Sequence, residues 1–303
     1  MPAKSFKDKI KFINDASDGL DNTFQALSRE LYKSVVNEFA DQLDRNGDTI
    51  LNTSKNIQLI AAIENIYNKF AADNLPKVAS QINTGANTIN SYNVDYYSEF
   101  ATDQRDYAAT TEKVQKIIRD RLGITAEGNG KKVNLKPGGY MDSLLKDNSV
   151  KNEIKNFSYS EVLKGVGFKD FKSSLETYIV GDEQTLGGFR QYYRNYAYDI
   201  FADIDRAEST LLATDLDLTY FIYEGSLIAT SRQFCIDRAG KVFSIKEAEK
   251  WVNDPWIKRN LDKGYISSYN PTHDMGLFGC RHIPRFISKE VAFQLRPELK
   301  NAV

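Results

Sequence analysis

Residues 24–43 read FQALSRELYKSVVNEFADQL, and apolar side chains recur through this stretch every three or four positions. The recurring side chains are Phe24, Leu27, Leu31, Val35, Phe39 and Leu43. Because an α-helix has about 3.6 residues per turn, this spacing puts all of them on one face. The stretch therefore predicts an amphipathic helix that packs against other elements, with Asp21 as its N-cap.

The same periodicity predicts that the first two thirds of the chain are mostly helical. Because proline is tolerated in the first turn of a helix and disrupts its interior, one helix is expected to start at Leu75 or Pro76. Other helices are expected over residues 57–70, 140–145, 150–156, 160–166 and 182–213. The last of these carries an aromatic stripe, which indicates either packing in a bundle or a base-stacking surface. The stripe consists of Phe189, Tyr192, Tyr193, Tyr196, Ile200 and Ile204.

From Leu218 onward the pattern changes to short segments. Residues 218–225 are rich in aromatic and branched side chains and predict a strand. The following pieces predict a short helix over 231–238, an extended segment over 241–243 and a helix over 244–251 capped by Ser244. Beyond Gly264 we expect loops with little strand. The sequence therefore predicts a mainly α protein, with an elongated helical body and a small α+β C-terminal domain.

Glycine is densest between Gly123 and Gly139, which predicts an exposed loop or hairpin and a boundary in the chain. We accordingly divide the chain into three parts. They are an N-terminal helical region over 1–125, a second helical region over 126–217 that ends in a long helix, and the small C-terminal domain over 218–303.

Composition narrows the function. The chain has 303 residues, of which 41% are hydrophobic, and 40 Lys+Arg against 41 Asp+Glu. This balance excludes a wholly basic nucleic-acid coat and an acidic tail protein. Residues 226–303 hold 13 Lys+Arg and 8 Asp+Glu, which gives this segment a net charge of +5 and leaves −6 for the rest of the chain. A basic C-terminal segment would suit binding to phosphate or to an acidic partner. Apolar runs fall short of the roughly 18 residues that span a bilayer, so we expect no membrane contact and synthesis in a cytoplasm.

The chain contains only two cysteines and two histidines. Cys235, Cys280 and His282 form the most suggestive set of ligands, because zinc favours thiolate and imidazole. His273 could supply a fourth ligand. The alternatives are a disulfide or contact between the two cysteines, plain buried thiols, or a cysteine nucleophile activated by His282.

Three other patterns have an ordinary structural explanation. Residues 44–50, DRNGDTI, are similar to the opening of a calcium loop, but Thr49 and Lys55 stand where such a loop needs glycine and glutamate. We interpret this segment as a helix-to-helix turn. Trp251 and Trp256 are interpreted as packing anchors. The basic side chains Arg232, Arg281 and Arg285 could bind phosphate or form ion pairs.

Several pieces of the C-terminal segment together form a pattern. They are residues 220–225 (YFIYEG), 231–235 (SRQFC), 238–243 (RAGKVF), 247–251 (EAEKW) and 279–282 (GCRH). In this order and spacing they resemble the C-terminal segment of tailed-bacteriophage minor head proteins, the Mu F-like head morphogenesis family. The resemblance covers residues 218–288.

The resemblance implies a low-copy structural protein of the virion, located in the head or at the portal vertex. Its partners would be portal or capsid proteins and packaged DNA, and no cofactor other than a structural zinc is expected. The resemblance also implies structural roles for Gly225, Arg232, Phe234, Gly240, Lys241, Trp251 and Arg281. The glycines would permit turns, the aromatic residues would pack the sheet, and the cysteines with His282 would hold the chain end against the helix after Arg232.

Two alternatives remain. Some proteins of this wider group are related to ADP-ribosyltransferases, and Glu247 and Glu249 give the Glu-x-Glu element that such an enzyme needs. No strand element accompanies them, so we expect no enzymatic activity. The second alternative is an independent DNA-binding module, which would show a steep salt dependence.

Overall fold

The computed structural model describes residues 2–128, 132–146 and 148–301, and it confirms a mainly α protein with a small α+β C-terminal region. The longer helices are α1 (Pro2–Glu38), α3 (Ala62–Tyr97), α4 (Gln104–Leu122), α6 (Asn148–Lys164), α7 (Phe168–Ile179) and α8 (Gly188–Asp215). The shorter ones are α2 (Ser54–Leu59), α5 (Tyr140–Leu144), α9 (Gln233–Ile236), α10 (Ile245–Glu249), α11 (Pro255–Asp262) and α12 (Lys289–Leu295). None of the described helices has the length and apolar character needed to cross a membrane.

Within the described residues the strands form three small antiparallel sheets. Two are hairpins, β1 (Arg45–Asn46) with β2 (Thr49–Ile50) and β3 (Ile124–Gly128) with β4 (Lys132–Leu135). The third has the order β6-β5-β7, with β5 (Tyr220–Glu224) between β6 (Val242–Ser244) and β7 (Ile283–Ile287). In it Phe221 faces Phe243 on one side and Phe286 on the other. The glycine-dense stretch is thus a hairpin, and the middle of its turn lies outside the described residues.

Two predicted helix starts are wrong. Asp21 lies inside α1, which begins at Pro2, because the apolar face continues towards the N-terminus through the buried Phe6, Ile13 and Leu20. Pro76 lies inside α3. A proline removes one backbone hydrogen bond of a helix, but here buried apolar residues precede and follow it on the same face, and their burial favours continuation.

The helices that follow the β3–β4 hairpin also differ from expectation. One helix, α6, runs through the segment predicted over 150–156 and through the segment predicted over 160–166 as far as Lys164, where it ends before Gly165. Helix α7 is absent from the prediction. The long helix α8 begins at Gly188 rather than near residue 182, because the preceding residues form a tight turn in which Asp182 accepts hydrogen bonds from the backbone N–H groups of Gln184 and Thr185.

The C-terminal end has more regular structure than expected. The segment IPRFI forms β7 and pairs with β5 along its whole length, although it contains Pro284. Because β7 is an edge strand, the missing N–H of a proline is tolerated there. The following helix α12 is capped by Ser288, whose hydroxyl accepts a hydrogen bond from the backbone N–H of Val291.

The chain divides into two compact units. Unit 1 consists of Met1–Ser17, Thr84–Arg121 and Tyr198–Val303, and unit 2 of Asp18–Asn83 and Leu122–Ala197. In unit 2 the first part of the aromatic stripe of α8 contributes to the core through Phe189 and Tyr193, whereas Tyr192 is exposed. Tyr193 stacks on Phe24 with ring centroids 4.8 Å apart. Unit 1 contains the three-stranded sheet. The division into 1–125, 126–217 and 218–303 stays a prediction.

Candidate metal centre in the C-terminal region

Three elements of unit 1 bring together the predicted ligands and one further side chain, Tyr223. Strand β5 carries Tyr223, helix α9 carries Cys235, and the segment before β7 carries Cys280 and His282. Gly225 ends β5 with a φ of 144°, a conformation that favours glycine, and a Cβ there would lie 2.8 Å from the His282 ring. The close approach of the backbone at Gly225 therefore lets the imidazole turn inward.

The predicted ligand atoms form one buried cluster. Cys235 Sγ lies 3.9 Å from Cys280 Sγ, and Cys280 Sγ lies 3.6 Å from His282 Nδ1. All three ligand atoms are within 4.8 Å of one another, and each residue is at most 3% exposed. Among the described residues this is the group of cysteine, histidine and carboxylate side chains that could hold a metal ion.

Tyr223 belongs to this cluster and was not predicted. Its hydroxyl lies 3.4 Å from Cys235 Sγ and 3.6 Å from Cys280 Sγ, and its ring centroid lies 4.8 Å from that of His282. Burial raises the pKa of Tyr223 well above its ordinary value. Side chains alternate between the two faces of a strand, so Tyr223 shares a face of β5 with Phe221. Both faces of β5 are buried, and the sequence pattern therefore gives no signal for its contact with the two sulfurs.

A tight turn closes the cluster from the other side. A Cβ on Gly276 would lie 2.6 Å from Cys235 Sγ and 3.1 Å from Cys280 Sγ, so only glycine fits. Its neighbours Met275 and Leu277 both have positive φ, 48° and 66°, which is unfavourable for side chains of this size. Buried contacts must hold this turn in place.

Arg232 supplies part of that support. Its guanidinium donates hydrogen bonds to the carbonyl oxygens of Gly276, at 3.1 Å, and of Phe278. Trp256 Nε1 donates to the same Gly276 carbonyl at 3.2 Å. Arg232 therefore holds the turn that leads to Cys280. Arg281 has a different environment, with its guanidinium over the Tyr198 ring at 4.2 Å.

Trp251 is the centre of the aromatic packing beside the cluster. Its ring contacts those of Phe221, Tyr223, Phe234 and Phe243 at centroid distances of 4.9 to 5.9 Å. Gly240 makes the turn before β6 with a φ of 74°. Lys241 contributes through its backbone, since its carbonyl accepts a hydrogen bond from Tyr223 N.

The chemistry of the two thiols is coupled. The hydrogen bond between them lowers the pKa of Cys280 and raises that of Cys235, and contact with His282 favours the thiolate of Cys280 further. The sulfurs are in contact as free thiols, since a disulfide requires about 2.05 Å. A catalytic cysteine must also be accessible to its substrate. Cys280 is only 2% exposed, so it is poorly placed to act as a nucleophile.

His273, considered as a fourth ligand, lies in a different cluster. Its Nε2 is 3.2 Å from Asp203 Oδ1 and its Nδ1 is 2.9 Å from Asp274 Oδ1, and Arg121 contacts the same ring. The hydrogen bond with Asp203 raises the pKa of His273. This histidine therefore has carboxylate partners of its own.

The remaining motifs have local structural roles. Glu247 forms a capping box with Ser244 and an ion pair with Arg296 at 2.8 Å, which ties α12 to the start of α10. In the segment similar to a calcium loop, the β1–β2 hairpin turns at Gly47, and Lys55 Nζ pairs with Asp44 Oδ1 at 2.7 Å. The segment is thus a hairpin between helical elements.

A second buried polar cluster in unit 1 was not predicted. Lys9 Nζ lies 2.7 Å from Asp205 Oδ1 and donates to Asn93 Oδ1 at 2.8 Å, and Asn93 Nδ2 donates to Glu208 at 2.9 Å. Burial raises the pKa of Glu208 to about 8. The available signal was the position of Lys9, three residues after Phe6 and four before Ile13 on the buried face of α1.

In comparisons with known proteins, no family model, no curated protein and no solved structure matches this chain. A functional proposal therefore depends on the sequence pattern and on the geometry of unit 1.

Proposed function

We propose that the chain is a structural minor head protein of a tailed bacteriophage, which binds portal or capsid proteins and acts in head assembly, DNA packaging or delivery. The proposal comes from the sequence pattern of residues 218–288. One observation supports it: several side chains that carry this pattern are partners of one another, since Phe234 packs against Trp251 and Cys235 contacts Cys280. Side chains used in this way build the scaffold and leave recognition of partners to the surface of unit 1.

The two acidic residues of the Glu-x-Glu element, Glu247 and Glu249, lie in different surroundings. Glu247 accepts hydrogen bonds from Ser244 N and from Arg296, and both partners hold it at the start of α10. Glu249 lies exposed at the end of the same short helix. In an ADP-ribosyltransferase both carboxylates would have to face a bound dinucleotide, so this arrangement favours the structural function.

The arginines considered for phosphate binding have partners within unit 1. Arg232 donates to two backbone carbonyls, and Arg285 Nε donates to Glu224 at 3.0 Å. Arg281 lies over an aromatic ring. Because these guanidinium groups already have internal partners, we propose that protein surfaces, rather than a dedicated DNA site, provide the main contacts in the head.

Mass spectrometry of density-gradient-purified phage particles tests the proposal. The chain should be present at a few copies per particle relative to the major capsid subunit. Recovery only from the cell extract, with none in particles, would contradict a structural virion role.

Two assays on the purified chain address the alternatives. Labelled nicotinamide adenine dinucleotide should give no transfer of ADP-ribose, and transfer that is lost in Glu249→Gln would establish an enzyme. Duplex DNA should not bind at low salt. Binding with a steep salt dependence would favour a DNA-binding module.

A further inference from the structure

We propose that Cys235, Cys280 and His282 bind one zinc ion, with the hydroxyl of Tyr223 at the fourth corner of the site. The ion would be structural and would join helix α9 to the segment that leads into β7. This inference does not depend on the function proposed above, because a zinc ion would stabilise unit 1 whatever the protein does.

Four of the six distances between these atoms fit a tetrahedron around zinc, and Cys235 Sγ lies within 4.8 Å of the ligand nitrogen of His282. Bond lengths of about 2.3 Å to sulfur and about 2.0 Å to nitrogen or oxygen place two sulfurs about 3.8 Å apart and a sulfur about 3.5 Å from nitrogen or oxygen. The structure has 3.9 Å between the sulfurs and 3.6 Å from Cys280 Sγ to His282 Nδ1. Tyr223 Oη lies 3.4 and 3.6 Å from the two sulfurs.

The charge and softness of the ligands select the metal. Two thiolates and a neutral imidazole neutralise a divalent cation, and the Tyr223 hydroxyl adds no charge while it keeps its proton. The loaded site then carries no net charge in its buried environment. Thiolate with imidazole is the ligand set that zinc favours, whereas calcium and magnesium require oxygen ligands. Both thiols must lose their protons, so binding releases protons and strengthens with pH.

Two glycines in the surrounding turns keep side chains away from the proposed ligands. Gly276 keeps a side chain away from both sulfurs, and Gly225 keeps one away from the His282 ring. The strained residues Met275 and Leu277 on either side of Gly276 show that the turn adopts an unfavourable backbone to reach this position. A ligand that links Cys235 to Cys280 across 45 positions of the chain would stabilise such a turn.

The groups around the proposed ligands predict that zinc binds less tightly here than at most structural zinc sites. Among the described residues His282 Nε2 is buried without a hydrogen-bond partner. A ligating histidine usually donates its second N–H to a carboxylate or carbonyl, and loss of such a partner weakens metal binding about 10- to 100-fold.

Elemental analysis of the full chain, purified without chelators, tests the proposal. We expect one zinc per chain, and cobalt in its place should give a thiolate-to-metal charge-transfer band with the visible bands of a tetrahedral site. Cys280→Ser and His282→Asn should lose the metal, whereas His273→Asn, the matched change at the other histidine, should keep it. Tyr223→Phe should lower the affinity for zinc, because it removes the proposed fourth ligand atom and leaves the ring in place.

Wild-type measurements keep the test decisive if the cysteine variants do not fold. Both thiols should react slowly with a thiol reagent until a chelator removes zinc, and then react fully. The proposal is overturned by a metal-free chain that takes up no added zinc, or by a disulfide detected as the absence of free thiols. An unchanged affinity in Tyr223→Phe would overturn the assignment of the fourth corner.

Discussion

Replacing Lys9 by methionine tests the buried polar cluster of unit 1. The ammonium group pairs with Asp205 at 2.7 Å, and the two side chains are 1% and 0% exposed. Burial lowers the pKa of Lys9, and the charge of Asp205 acts in the opposite direction. Methionine has nearly the same length, so this change removes the charge and leaves most of the packing in place.

The expected effect is large because one charge stays behind. Removal of one member of a buried ion pair leaves the other uncompensated and costs about 3–5 kcal/mol. Asn93 Oδ1 also loses the shorter of its two hydrogen bonds and keeps the one from Ser209 Oγ at 3.4 Å. Lys9→Met should therefore lower the free energy of unfolding by about 4 kcal/mol, a large part of the roughly 5–15 kcal/mol typical of a folded protein. The double variant Lys9→Met with Asp205→Leu should regain most of this loss.

Urea unfolding followed by tryptophan fluorescence measures the effect, because Trp251 and Trp256 both lie in unit 1. Lys11→Met is the matched control, since Lys11 pairs with Asp15 at the surface and is 76% exposed. The control should leave the unfolding midpoint unchanged. Equal, small effects of Lys9→Met and Lys11→Met would refute the buried ion pair.

Three further predictions concern other residues of unit 1. Burial raises the pKa of Glu208 from 4.5 to about 8, so the folded state holds a proton that the unfolded state releases between these values. The free energy of unfolding should therefore fall by a few kcal/mol as pH rises from 4.5 to about 8. In Glu208→Gln the urea midpoint should depend less on pH over this range than in the wild type. The same pH dependence in both proteins would contradict a buried carboxyl at Glu208. Gly276→Ala should lower the free energy of unfolding by about 1–3 kcal/mol, because the added Cβ would lie 2.6 Å from Cys235 Sγ. The measurement is thermal unfolding. Gly19→Ala is the control, and it should not destabilise the chain because Gly19 lies in a helix with room for a methyl group. Arg296→Met should lower the thermal midpoint by detaching α12 from Glu247, and a midpoint equal to that of the wild type would show that the ion pair contributes nothing.

Helical periodicity was sufficient for the fold class. The apolar side chains of residues 24–43 are all buried, although α1 ends at Glu38 and leaves Phe39 and Leu43 beyond it. The change of pattern at Leu218 marks the start of β5 two residues later. Local rules failed where burial outweighed them. Pro76 and Asp21 are reasonable helix starts by local chemistry, yet both lie inside long helices whose apolar faces continue past them.

The ligand set could be predicted because the chain has so few cysteines and histidines. Their contact could not be derived from spacing, since it depends on how α9 packs beside β7. Tyr223 and Gly276 were missed for the same reason, because only the folded backbone brings them to the two sulfurs. The buried pair of Lys9 and Asp205 joins residues 196 positions apart, beyond the reach of any local pattern.

Cross-linking mass spectrometry on intact, purified phage heads tests the proposed function most directly. A structural minor head protein should give reproducible cross-links from surface lysines of this chain, such as Lys258 and Lys263, to portal or capsid subunits. Heads in which the chain is absent, or in which it forms no cross-links to any head protein, would contradict a role in head assembly.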